Sequence, residues 1–267
     1  MQEETHYADI NKASWNNRVD AHIHSDFYDV PAFIAGKSSL NDIELQLLGD
    51  VQGKSILHLQ CHFGQDTLSL ARMGAQVTGV DLSDKAIAEA NKLAQTIQMP
   101  ATFICCNIYD LPQHLDQQFD IVFTSYGTIG WLPDLSAWAQ IIARYLKPGG
   151  QFIFVEFHPV VWMFDDAFTH IKYPYQSNQP IIESESGTYA DPTANIQQDY
   201  VMWNHAIASV LQNLITQNLI ITSFAEYPYS PYNCFQHTRE IEPGKFIIEH
   251  LHGHIPMVYA LQARKPE

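Results

Sequence analysis

The residues of this chain whose types and spacing could do chemistry cluster around one turn and one acid. The turn is Gln60-Cys61-His62-Phe63-Gly64, and the acid is Asp81. Ahead of the turn, Ile56, Leu57 and Leu59 form a short apolar run. Behind it, Thr67 to Met73 reads as helix, and Gln76 to Val80 is a second apolar run that Asp81 closes. Strand, tight turn, helix, strand, acid is the βαβ unit that grips an adenosine-containing cofactor. Asp81 follows Gly64 by about 17 residues, near the ~20 expected of an acid that hydrogen-bonds ribose hydroxyls.

The turn departs from the dinucleotide fingerprint. In G-x-G-x-x-G the glycines let backbone approach a pyrophosphate at a helix N-terminus. Here Gln60 and His62 stand where glycine is usual, and their side chains would crowd a pyrophosphate. A cofactor with ribose and adenine but no phosphate suffers less, and S-adenosylmethionine is that cofactor.

The run resembles motif I of the class I S-adenosylmethionine-dependent methyltransferases, an apolar pair, an acid and a Gly-x-Gly-x-Gly turn. Leu57, Leu59, Cys61 and Gly64 match; His58 stands in place of the acid, and Gln60 and His62 in place of two glycines. Cys106 to Asp110 is similar to the segment after the third strand, Phe119 to Gly127 to the fourth strand, and Leu146 to Gly150 to the turn into the fifth. The resemblance implies that Asp81 holds the ribose, Leu82 meets the adenine, and Asn107 and Ile108 meet its amino group and ring. It places Leu59, Gln60, Cys61, His62, Gly64, Thr124 and Ser125 about the cofactor, with backbone at Gln60 and His62 against the methionine part. Tyr126 and His158 would look toward the transferred methyl, with a packing role as the alternative for each. His205, after an aromatic stretch, is a further base candidate, with capping or core packing as its alternative. His58 is expected to pack under the turn. A metal site of Cys61, His62 and the His22-x-His24 or His252-x-His254 pairs matches no zinc spacing, so none is expected.

Positioning these residues requires alternating strands and helices from Lys54 to Pro159, with nearly continuous apolar strands, as in a doubly wound parallel sheet. Ser83 can cap a helix carrying Ala86, Ile87, Ala90 and Leu93 at helical spacing, Ala101 to Cys105 is the third strand, and Leu135 to Leu146 is a helix. The resemblance implies a seven-stranded, mostly parallel sheet ending in an antiparallel strand pair, here Ile220 to Phe224 and Met257 to Ala263. One domain is expected over residues 1–267. Residues 1–50 would be a helical cap or lid, with a helix begun at Asn41-Asp42 and stopped at Gly49, and 51–160 the cofactor-binding core. Residues 161–204, rich in Trp and Tyr, would be a substrate-side insertion, read as a cover with a β-hairpin. Residues 205–267 would supply a C-terminal helix and the last strands.

Composition narrows the partners. The net charge is −15, from 14 Lys and Arg against 29 Asp and Glu, which disfavours nucleic acid and acidic membranes. Cys61, Cys105, Cys106 and Cys234 do not form a disulfide framework, the N-terminus is not signal-like, and no apolar run approaches a membrane span. A cytoplasmic location is expected. Thr124-Ser125-Tyr126-Gly127 is not the Asp/Asn-Pro-Pro-Tyr of amide and base methyltransferases, so the expected acceptor is a small molecule. The rivals are a cofactor-binding protein without turnover and a nicotinamide-dependent oxidoreductase; oligomeric state is not readable.

Overall fold

The computed structural model describes residues 2–267, with side chains from residue 6 onward. A long helix α1 (Gln2–Ile23) is followed by two short ones, α2 (Val30–Ile34) and α3 (Asp42–Leu48). The core then alternates β1 (Ser55–Leu59), α4 (Gln65–Arg72), β2 (Gln76–Asp81), α5 (Asp84–Thr96), β3 (Thr102–Cys105), β4 (Phe119–Ser125), α6 (Leu135–Tyr145) and β5 (Leu146–Phe157). A hairpin of β6 (Ile181–Ser186) and β7 (Gln197–Met202) precedes α7 (Ile207–Thr216) and β8 (Ile220–Tyr227). A second hairpin, β9 (Thr238–Glu242) and β10 (Lys245–Ile248), leads to β11 (Val258–Arg264).

Seven strands form one sheet in the order β3-β2-β1-β4-β5-β11-β8. The first five are parallel, and β11 runs antiparallel between β5 and β8. This is the doubly wound, mostly parallel sheet with an antiparallel strand pair that the sequence led us to expect. Both faces are covered, because side chains alternate along each strand. Leu57 and Leu59 point into a cluster with Trp138 and Ile142 of α6, Phe152 and Phe154 of β5, and Val210 and Leu214 of α7. Ile56 points the other way, to Leu70, Val77, Phe123 and Ile153.

Several elements differ in detail from the sequence expectations. Leu146 is the first residue of β5, paired with Phe119, not the last of α6. β3 is an edge strand and its residues are only partly buried, so it is not the apolar buried run expected of a central strand. The β9–β10 hairpin lies in a stretch where sequence periodicity shows no strands, since nearly all of β9 is exposed.

The largest difference is α1. Its buried stripe, Asn11, Ser14, Arg18 and His22, has helical spacing but is polar, each residue at most 3% exposed, and Val19 beside it is the one apolar residue of α1 buried as deeply among those whose side chains are described. Apolar periodicity therefore gives no sign of it. The stripe is polar because that face of α1 packs on the β6–β7 hairpin and the crevice, while Val19 reaches the apolar cluster of α4 and α5. Asn11 exchanges hydrogen bonds with the Val201 backbone, at 2.8 Å each way, and the Arg18 guanidinium lies 2.8 Å from the Glu185 carboxylate. Residues 161–204 do contain the expected hairpin, with Ile181 opposite Met202.

Candidate functional site

In open α/β sheets, ligands bind outside the carboxyl ends of the strands where the strand order reverses. Here the reversal lies between β1 and β4: the chain leaves β1 for β2 and β3 on one side, then crosses to β4 and β5 on the other. A cavity of about 1960 Å³ opens there, roofed by α1 and the β6–β7 hairpin. Pockets for a single drug-sized ligand measure roughly 300–1,000 Å³, so this cavity is large enough for a cofactor and a second small molecule.

The turn after β1 is tied to the sheet by Cys61 N–H donating to Val80 O at 2.9 Å and closed by Gly64 N–H donating to Cys61 O at 2.9 Å. Gly64 has φ +82°, and a Cβ there would come within 2.8 Å of the Phe103 ring and 3.1 Å of Ala90. Close packing of the turn on β3 and α5 thus demands glycine. The Cys61 thiol is buried and faces Gly79, so it packs the turn onto β2. His58 lies beneath, buried, with Nδ1 2.8 Å from the Thr67 hydroxyl, and burial takes its pKa down to about 3.

Asp81 stands at the end of β2. Its two oxygens accept from His62 N–H and Ser83 N–H, each at 2.8 Å. Burial raises its pKa to about 6, and these amide donors oppose the rise. Each oxygen keeps a lone pair able to accept from a hydroxyl. Leu82, Asn107 and Ile108 continue the same wall, with the Asn107 side chain accepting from Tyr109 N–H at 3.1 Å.

Across the turn, Ser125 and Tyr126 end β4. The Ser125 hydroxyl donates to Asp66 at 3.1 Å, and the Tyr126 hydroxyl donates to Glu44 Oε2 at 2.8 Å. Glu44 Oε1 accepts from the Asn41 N–H at 2.6 Å, closing the cap of α3. Glu44 is fully buried; desolvation and then the nearby Asp66 carboxylate raise its pKa to about 7. Burial raises Asp66 as well. The loop after Tyr126 is organised by Glu156 at the end of β5, which accepts from the N–H groups of Gly127, Thr128 (2.7 Å) and Ile129 (3.0 Å).

Of the residues singled out in the sequence, Gln60, Cys61, His62, Gly64, Asp81, Leu82, Asn107, Ile108, Ser125 and Tyr126 line this one cavity. Four do not. Leu59 is fully buried in the core, because its side chain alternates into the α6 face of the sheet. Thr124 is also fully buried, its hydroxyl donating to Leu59 O at 3.1 Å beneath the floor. His158 accepts from Val160 N–H on Nδ1 and therefore donates from Nε2, 2.8 Å from Glu226 on β8. His205 donates from Nε2 to Leu132 O at 2.8 Å. Both histidines are buried and neither lines the cavity, and burial lowers both pKa values.

Sequence reasoning missed Glu44 and Asp66, and it did not show which aromatic rings meet in the roof. Glu44 was concealed in a helix cap, three residues after Asn41; its spacing is that of a capping box. Trp15 of α1 packs edge-on against Trp131 and His62, each with ring centroids 5.2 Å apart. The Arg18 guanidinium lies 5.2 Å from the Trp15 ring centre and 5.6 Å from those of Trp131 and Tyr200. His22 comes to His62, its Nδ1 2.8 Å from His62 Nε2. Among the described residues no group of three or more His, Cys, Asp or Glu is placed to hold a metal.

Residues 57–154 match the family described as a methyltransferase domain. An uncharacterized methyltransferase of Synechocystis sp. is 35% identical over 134 residues, 49% of this chain and 60% of that protein. A ubiquinone biosynthesis O-methyltransferase of Alkalilimnicola ehrlichii is 32% identical over 113 residues, 42% of this chain and 45% of the relative. The chain thus spans less than two thirds of these relatives. The crystal structure of an S-adenosylmethionine dependent methyltransferase from Mesorhizobium loti superposes with a TM-score of 0.55 at 21% identity, over 88% of this chain and 96% of that one, a likeness of fold.

Proposed function

We propose that this chain, whose residues 57–154 are a class I methyltransferase domain, binds S-adenosylmethionine and transfers its methyl group to a small-molecule acceptor. The observation that carries this reading is the Asp81 carboxylate, held by two backbone amides at the end of β2 beside a phosphate-unfriendly turn. Asp81 would hold the ribose hydroxyls, Leu82, Asn107 and Ile108 the adenine, and the turn at Gln60 the amino-acid tail. Bound there, S-adenosylmethionine supplies a methyl group already activated by its sulfonium, so orientation accounts for much of the catalysis.

The chain's own chemistry then concerns the acceptor. The Trp15, Trp131 and Tyr200 rings supply apolar walls, and the Arg18–Glu185 pair fixes the roof to α1. If the acceptor is a hydroxyl, its proton can pass to the Tyr126 oxygen as the Tyr126 proton passes to Glu44 Oε2. The order follows from the hydrogen bond already present. Such a relay needs Glu44 ionised, so turnover rises as pH passes through about 7. The cavity's size, the aromatic roof and the net charge of −15 support a small acceptor over a nucleic acid. Among the described residues no helix is long and apolar enough to cross a membrane, and all four cysteines are free, which supports a reducing, cytoplasmic setting.

The test is a thermal-shift titration with S-adenosylmethionine, S-adenosylhomocysteine and NADH, followed by an acceptor screen. A ligand at ~100 times its Kd adds about 2.7 kcal/mol of stability, a shift of several degrees. Stabilisation by the adenosyl ligands but not NADH is expected. A response to NADH alone would return the oxidoreductase reading, and binding without turnover would leave a cofactor-binding protein.

A further inference from the structure

The turn that departs from the glycine pattern contains two buried polar atoms without a partner, Gln60 Oε1 and His62 Nδ1. Both residues line the cavity. Both also hold left-handed backbone, with φ +56° and +50°, where glycine is at ease and other residues are strained. Glycine at either position would relieve that strain and remove the unpartnered atom. The chain instead carries a polar side chain at both, and a buried polar atom is destabilising until something hydrogen-bonds it.

The chemistry of each atom is fixed by its neighbours. Gln60 Nε2 lies 2.8 Å from the Thr128 carbonyl, which can only accept. That end of the amide is therefore the NH2, and the free end is a carbonyl oxygen that needs a donor. Thr128 follows β4, so the Gln60 side chain runs to the β4 side of the turn, away from Asp81 on the β2 side. His62 is placed differently, because its backbone N–H donates to Asp81. Its ring shares a hydrogen bond with His22, and burial keeps both rings neutral, with pKa values of about 3 and about 2. Each ring then has one proton. With that of His22 on Nδ1, His62 Nδ1 is a donor; with the protons shifted, it is an acceptor.

We propose that these two side chains bind the cofactor: Gln60 Oε1 accepts from the ammonium of its amino-acid tail, and His62 Nδ1 hydrogen-bonds its adenosyl half. This rests on the cavity being an S-adenosylmethionine site. The donors on such a ligand are its ammonium, its ribose hydroxyls and its adenine amine. Asp81 and Asn107 face the last two from the β2 and β3 side, which leaves the ammonium for Gln60.

The experiment is calorimetric titration with S-adenosylhomocysteine and with 5′-methylthioadenosine, which has the adenosyl thioether but no amino-acid tail. Gln60→Gly is expected to weaken S-adenosylhomocysteine binding about tenfold and to leave 5′-methylthioadenosine within about twofold. His62→Gly is expected to weaken both ligands about fivefold or more. Gln60→Met and His62→Phe keep bulk without the polar atom, and repeat the comparison if either glycine variant fails to fold. Equal losses of the two ligands in the Gln60 variants, or unchanged S-adenosylhomocysteine binding in a folded variant at either position, overturns the proposal. Failure of the unaltered protein to bind either ligand overturns the cofactor reading, and the proposal falls with it.

Discussion

Replacing Glu44 by glutamine tests whether a buried acid beneath Tyr126 is held out of its ordinary ionisation range. Glu44 is 0% exposed, and burial with the Asp66 charge nearby raises its pKa from 4.5 to about 7. At 1.36 kcal/mol per pH unit, that rise is worth about 3 kcal/mol between the two protonation states. The sign follows from linkage. An acid whose folded pKa lies above its unfolded value stabilises the fold fully below the unfolded pKa, and that contribution is lost as pH rises through the folded pKa. Stability of the unaltered protein should therefore fall across the window from 4.5 to about 7 because of this group. The amide that Glu44→Gln introduces does not titrate. The stability difference between variant and parent should therefore move by about 3 kcal/mol in favour of the variant from about pH 4 to about pH 8. Urea unfolding at a series of pH values measures it, because carboxylates that do not interact with Glu44 cancel in the difference. Two parallel curves would refute the burial argument, and with it the rise in turnover expected as pH passes through about 7.

Further outcomes follow from the same geometry. Asp81→Ala should weaken S-adenosylhomocysteine binding by ~1.5–3 kcal/mol, since a charge-assisted hydrogen bond to ribose is lost, and calorimetry reads it directly. Gly64→Ala should destabilise the protein by ~1–3 kcal/mol, because the new Cβ meets Phe103 in a left-handed backbone; equal melting temperatures would show that the turn relaxes freely. His158→Ala and His205→Ala should leave turnover within a few-fold while each lowers stability by ~1–3 kcal/mol, as a buried partner loses its hydrogen bond. Loss of turnover in a folded His158 or His205 variant would return that histidine to the site. Tyr126→Phe should lower turnover with a hydroxyl acceptor and leave S-adenosylhomocysteine affinity unchanged; a loss of affinity instead would place Tyr126 against the cofactor.

Much of the cavity wall was legible in the chain because it depends on local order. The apolar run to Leu59, the turn at Gly64 and the acid at Asp81 are spaced as one βαβ unit, and a parallel sheet brings its strand ends to one edge. Asn107 and Tyr126 end up beside them for the same reason, as strand-end residues two and three strands along the alternation. The Leu59 and Thr124 side chains do not line the cavity, since side chains alternate and a strand-end neighbour can face the core. His158 and His205 do not line the cavity: residue type suggests a base, whereas direction depends on partners, Glu226 and the Leu132 carbonyl, that lie 68 and 73 residues away.

The sequence by itself determined the alternation of strands and helices, the turn and its acid, and a charge balance unsuited to nucleic acid. Each is set by neighbours within one or two turns of chain, or by composition alone. Only the tertiary structure decided which segments form the roof and that Glu44 meets Tyr126 at the cavity. Glu44 meets Tyr126 across 82 residues, Arg18 meets Glu185 across 167, and Asn11 meets Val201 across 190. These contacts join polar residues whose burial no local periodicity records, because the surface that hides them is supplied by distant segments of the chain.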